Sequence, residues 1–132
     1  MCIRDSKQAP PQSPAVTKEK RARELSSKGR AAYKNGDTKE ATKLFREAIA
    51  VHARSSAAHH GLALIYFDRS SFEMAAKHCA KASAISPKKA EIRMLCGDAY
   101  FRLGKHDKAR THYEAAQALG AKGAASRLSK LN

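Results

Sequence analysis

The chain has 132 residues, room for one domain or a short repeat array. Its hydrophobic 42% is rich in alanine and only 6% of residues are aromatic, so a core must be built from small side chains. Lys and Arg number 26 against 12 Asp and Glu; the net charge of +14 implies attraction to acidic surfaces and says nothing about fold. No apolar run approaches the roughly 18–20 residues that a membrane-spanning helix needs. Three cysteines without C-x-x-C spacing exclude a small disulfide scaffold and a structural zinc module.

Met1-Cys2-Ile3-Arg4-Asp5-Ser6 looks like a translated sequencing adaptor (ATG-TGT-ATA-AGA-GAC-AG) and is set apart from the fold, as any added segment is. On that reading the natural N-terminus lies upstream, and a cytoplasmic location is the expectation. Residues 7–16 hold three of the four prolines and read as an extended linker. Thr17 is placed to cap a helix that opens in the basic run 18–23, so that 7–21 is linker and helix start.

From Ala22 the chain repeats with a period of 34: rows 22–55, 56–89 and 90–123 align without gaps. Gly29, Ala63 and Gly97 share a column, as do Ala41, Ala75 and Ala109, and Ala48, Ala82 and Ala116. Tyr33, Phe67 and Phe101 form another, with Tyr66 and Tyr100 just before it. Each row reads as two helices. In row one the first ends at Asn35-Gly36, where glycine supplies a left-handed terminus, and Asp37-x-x-Glu40 opens the second with a capping box. Row two uses Ser70-x-x-Glu73 in the same way, and row three turns at Leu103-Gly104. Gly or Ala in the repeated columns lets helices cross at close range. Residues 124–132 make a short capping helix, with Leu128 and Leu131 on one face and Arg127 and Lys130 on its polar outer side.

These columns resemble the tetratricopeptide repeat: W-x-x-L-G-x-x-Y, then A-x-x-x-F, then P, in 34 residues. Row three carries Cys96-Gly97-x-x-Tyr100 and Ala109-x-x-x-Tyr113. Row two carries Leu62-Ala63-x-x-Tyr66, Ala75-x-x-x-Cys79 and Pro87; row one carries Lys28-Gly29 and Ala41-x-x-x-Phe45. Tryptophan is missing from every row, Ala32 stands where Tyr is usual, and Cys79 stands where an aromatic is usual. The resemblance implies an all-α solenoid, a right-handed superhelix of three helix-turn-helix repeats plus the cap. Its first helices would line a concave groove that holds a peptide or helix of a partner protein and does no chemistry. By repeat position, the groove-facing residues are Arg23, Arg30, Tyr33, Lys34, His60, Leu64, Phe67, Asp68, Glu91, Met94, Asp98, Phe101 and Arg102. The resemblance also implies a scaffolding role as the C-terminal part of a larger bacterial protein. Repeats that bind the acidic tails of heat-shock chaperones use a clamp of Lys, Asn, Asn, Lys and Arg. Here those positions hold Ser26, Arg30, Gly61, Glu91 and Leu95, so the clamp is not retained.

Nothing in the chain reads as catalytic, cofactor-binding or metal-ligating. His59 and His60 diverge by about 100° on a helix and read, with His52, as partly exposed polar residues rather than metal ligands. Cys79 and Cys96 fall in core columns of adjacent helices and read as buried inert thiols that come near one another. The alternative to a peptide-binding module is a basic helical-repeat module that binds nucleic acid through its convex or N-terminal surface. Lys39, Lys43 and Arg46 share one helix and Lys77 and Lys81 another, on the expected convex side where a phosphate backbone could lie.

Overall fold

The structure, a computed structural model, describes residues 14–131. The adaptor-like hexapeptide and most of the proline-rich segment lie outside the described residues, as does Asn132. Two helices fall in each 34-residue row: α1 (Pro14–Lys34) and α2 (Thr38–Val51), α3 (Ser56–Asp68) and α4 (Phe72–Ile85), α5 (Ala90–Arg102) and α6 (His106–Ala118). The short α7 (Ala124–Ser129) follows, and no strand occurs among the described residues. Helix α1 begins at Pro14 and not at Thr17, a correction to the expected linker end. Proline at the first helical position has no amide hydrogen to lose and a backbone angle already set for the helix.

Three turns between paired helices share one backbone conformation, reached by different residues. Gly36 (φ +83°), Ser70 (φ +62°) and Gly104 (φ +77°) occupy the same column and all turn left-handed. The first capping expectation holds: Asp37 Oδ1 accepts from the Glu40 amide at 3.2 Å. The second does not. Ser70 is spent on the left-handed turn, and Ser71, now the cap residue, makes no side-chain bond to the helix. A side chain in that conformation costs about 1–2 kcal/mol. Ser70→Gly is therefore expected to raise the Tm by a few degrees in a thermal melt, whereas the same change at an ordinary loop site lowers it.

The two layers of helices pack unequally. Each pair packs closely within itself (α1 on α2, α3 on α4, α5 on α6), and α1 meets α3 while α3 meets α5. The second helices α2, α4 and α6 do not pack extensively on one another. The first helices therefore form the inner layer and the second helices splay outside.

The core is a set of size-matched columns. Ala41, Ala75, Ala109, Ala48, Ala82 and Ala116 are all completely buried. Gly29 faces the ring of Phe45, and Gly97 faces the ring of Tyr113 sixteen residues on. In row two the same two columns hold Ala63 and Cys79, a larger residue opposite a smaller one, both buried. Where the ring is absent, Cys79 reaches across to α5 and is disulfide-bonded to Cys96, with Cα atoms 5.4 Å apart. This corrects the expectation of two inert thiols. The bond joins repeats two and three through positions that are both fully buried.

Candidate binding groove

Side chains from α1, α3 and α5 line two depressions on the inner layer. The first, about 300 Å³, is bounded by Arg30, Tyr33 and Lys34 of α1, by His60 and Leu64 of α3, and by Lys89 and Glu91 at the start of α5. Tyr33 is half-buried, and its hydroxyl donates to Asp68 Oδ2 at 2.5 Å, tying α1 to α3. Burial and that carboxylate push the Tyr33 phenol up to about 12, so it stays a donor at every physiological pH. Burial lowers His60, which leaves the charge there to Arg30, Lys34 and Lys89 against Glu91. The second depression, about 330 Å³, is bounded by Phe67, Asp98, Phe101, Arg102, Tyr113, Arg127 and Lys130.

The expected groove residues thus divide. Arg30, Tyr33, Lys34, His60 and Leu64 meet in the first depression and Phe67, Asp98, Phe101 and Arg102 in the second. Asp68 lines neither and serves as the Tyr33 acceptor. Met94, with Glu91 and Asp98, borders a third hollow against Ala121 and Lys122. Arg23 is exposed and lines none of the three.

Tyr33, Phe67 and Phe101 are each half-buried, and two have partners of their own. Phe67 meets Phe72 edge-on at 5.1 Å, with the Arg102 guanidinium 5.6 Å from its ring centre; Phe101 stacks on His106 at 5.5 Å. Asp98 is not free for a ligand. Its Oδ1 accepts from the Tyr113 hydroxyl at 2.5 Å and from Arg127 Nε at 2.7 Å. Arg127 therefore turns inward from α7 and closes the end of the groove, a correction to its expected place on the outer face of the cap. Lys89, which borders the first depression, lies between helices where helical periodicity assigns no face, and Lys130, expected on the outer side of the cap, borders the second depression instead.

The clamp positions hold no cluster of donors. Ser26 is buried and faces Ser55 Oγ at 3.4 Å, Leu95 is buried, and Gly61 lies under the Phe45 ring.

A second polar arrangement repeats with the rows. His59 is 5% exposed and not, as expected, partly exposed; its Nε2 lies 3.1 Å from the Ala53 carbonyl and its Nδ1 3.2 Å from His78 Nδ1. His78 in turn stacks on Tyr66 at 5.6 Å. Thirty-four residues on, Arg93 Nη1 reaches His112 Nδ1 at 3.2 Å, and His112 stacks on Tyr100 at 5.6 Å. Row one fills these columns with Leu25, Ala32 and Leu44. The 34-residue spacing of His78 and His112 was the available signal. Burial first, then His59, Lys81, Lys77 and Arg46, push His78 down to about 4 from 6.5. Between those values the unfolded chain holds the proton and the folded chain does not, so stability is complete above about pH 6.5 and is lost as pH falls toward 4. The Tm is expected to drop from about pH 7 to about pH 4.5, with a shallower drop in His78→Leu, read by calorimetry across that range.

Paired helices in two layers and size-matched small columns define a tetratricopeptide-type helical repeat. The chain belongs to the family described as anaphase-promoting complex, cyclosome, subunit 3, whose model matches residues 34–116. No curated protein sequence matches it. Among solved structures it is similar to the first TPR of Spaghetti (RPAP3), bound to the HSP90 peptide SRMEEVD, with 24% identity and a TM-score of 0.79 over 86% of this chain and 91% of that one. The Arabidopsis OM64 TPR domain is similar with 23% identity and a TM-score of 0.79, over 87% of this chain and 97% of that one. The Yersinia enterocolitica type III secretion translocator chaperone SycD is similar with 16% identity and a TM-score of 0.74, over 85% and 92%. No helix among the described residues is long and apolar enough to cross a membrane.

Proposed function

We propose that the chain is a non-catalytic protein-interaction module that holds a peptide or helix of a partner protein in the groove of α1, α3 and α5. The observation that carries this reading is the pair of depressions along one layer, each combining a half-buried ring with at least one cation that makes no ion pair among the described residues. Tyr33 beside Arg30 and Lys34 makes one end; Phe67 and Phe101 beside Arg102 make the other. Partly exposed rings in hollows are the usual anchors of peptide affinity, and flanking cations select acidic neighbours. Support also comes from the similar TPR structures that hold peptides. Since Arg30 is the one exposed donor among the clamp positions, the others being buried or acidic, the partner is recognised through apolar anchors with acidic residues beside them rather than through a terminal carboxylate alone.

Selection of a random peptide library displayed on phage against the immobilised chain tests this. Enriched peptides should carry large apolar residues next to Asp or Glu, and Phe67→Ala with Phe101→Ala should abolish their capture while circular dichroism stays unchanged. Peptides that bind the double variant as well as the parent would place recognition elsewhere and sink the reading.

A further inference from the structure

We propose that the outer cleft between α2 and α4 binds the phosphate backbone of a nucleic acid, a second surface separate from the peptide groove. Lys39, Lys43 and Arg46 stand at i, i+4 and i+7 on α2, and so on one face. Arg69, from the turn between α3 and α4, closes the same depression of about 560 Å³, where Glu47 is the one carboxylate. Across the cleft, Lys77 and Lys81 stand one turn apart on α4, and Lys81 borders an adjoining hollow of about 360 Å³. Lys39 with Lys43 and Lys77 with Lys81 are like-charge pairs at i, i+4, which repel. Among the described residues none of these six cations takes part in an ion pair.

One cation is fixed in place. Arg46 Nη2 donates to the Tyr66 hydroxyl at 3.0 Å, and Tyr66 is held by its stack on His78. The groups facing His78 from the surrounding elements are Arg46 of α2, His59 and Tyr66 of α3, and Lys77 and Lys81 of α4. Burial first, and then that field, keep the imidazole neutral, and a bound anion would relieve the field.

The cationic half of the cleft offers Thr42 and Ala50 as its uncharged lining and no large apolar pocket. An acidic peptide would find no anchor among those cations, its nearest apolar surface being the adjoining hollow of Ile49, Ala53, Ala84 and Ile85, whereas a phosphate backbone gains its affinity from charge density and released counterions. The splaying of α2 from α4 leaves the cleft open to an extended strand.

Fluorescence anisotropy of the full chain with a labelled oligouridine of about 20 nucleotides, at about 50 and 200 mM salt, tests the proposal. Four phosphate contacts on a single strand predict a roughly 50-fold loss of affinity across that range. Lys39→Gln, Lys43→Gln and Arg46→Gln together should weaken binding at least about tenfold and flatten the salt dependence by about three contacts. Phe67→Ala with Phe101→Ala should leave it unchanged. If the α2 variant loses helix content, Lys77→Gln with Lys81→Gln carries the same test from α4. Salt-insensitive binding, no binding, or undiminished binding by a folded cleft variant overturns the proposal. So does polyglutamate of equal length competing as well as the RNA, which would make the partner an acidic protein.

Discussion

Replacing Gly97 by alanine should lower the Tm, although alanine is the better helix former by about 1 kcal/mol. The added Cβ would fall against the Tyr113 ring, with Cζ only 2.9 Å away and two ring atoms closer. Tyr113 cannot retreat: it is 2% exposed, and its hydroxyl is held by the carboxylate that also binds Arg127. Overpacking of this kind costs about 1–3 kcal/mol, and valine should cost more than alanine. A double-mutant cycle isolates the cause. With Tyr113→Leu already in place, Gly97→Ala should become neutral or stabilising, because the ring it strikes is gone. Equal losses in both backgrounds would mean that Gly97 is needed for some other reason. Row two has made the same trade already, with Ala63 opposite Cys79.

Reducing the Cys79–Cys96 bond should cost about 3 kcal/mol by the chain-entropy argument for a loop of this length, a fall in Tm of about 10 °C. The two cysteines are 17 residues apart, and the bond ties α4 to α5 across the junction of repeats two and three. Because both positions are fully buried, the loss should follow unfolding and reduction together. A melt with and without reductant reads it, and Cys79→Ala with Cys96→Ala should reproduce the reduced value and abolish the response to reductant. A Tm indifferent to reductant would mean that the thiols pack as well apart as joined.

Both expectations rest on pairs of columns that the 34-residue period displays but does not couple. The period alone places six helices, since small residues recurring at fixed offsets leave few other ways to bury a continuous core. It also marks the column of Gly36 and Gly104, but the Ser70-x-x-Glu73 spacing points to a cap in that column, and the left-handed turn at Ser70 comes from the structure. What lies between rows is less legible. Gly61 belongs to no small column, yet Phe45 of the preceding repeat requires it. His78 is unremarkable in sequence, yet it meets His59 nineteen residues away.

The candidate groove divides in the same manner. Tyr33, Phe67 and Phe101 follow from register, because a residue's face on a helix is set by its number. Whether a charge on that face is free is a different matter. Asp98 shares the groove face of α5 with Phe101 but is taken by Tyr113 and Arg127, and Arg127 is oriented by α7, an element outside the repeat. The sequence by itself therefore determined the helices, their pairing and most of the faces they turn inward, with His59 and Arg127 the exceptions, because these depend on local periodicity. Only the tertiary structure decided which cysteines join, which carboxylate is consumed and which cations stand unopposed, because those depend on distances between residues that no period relates.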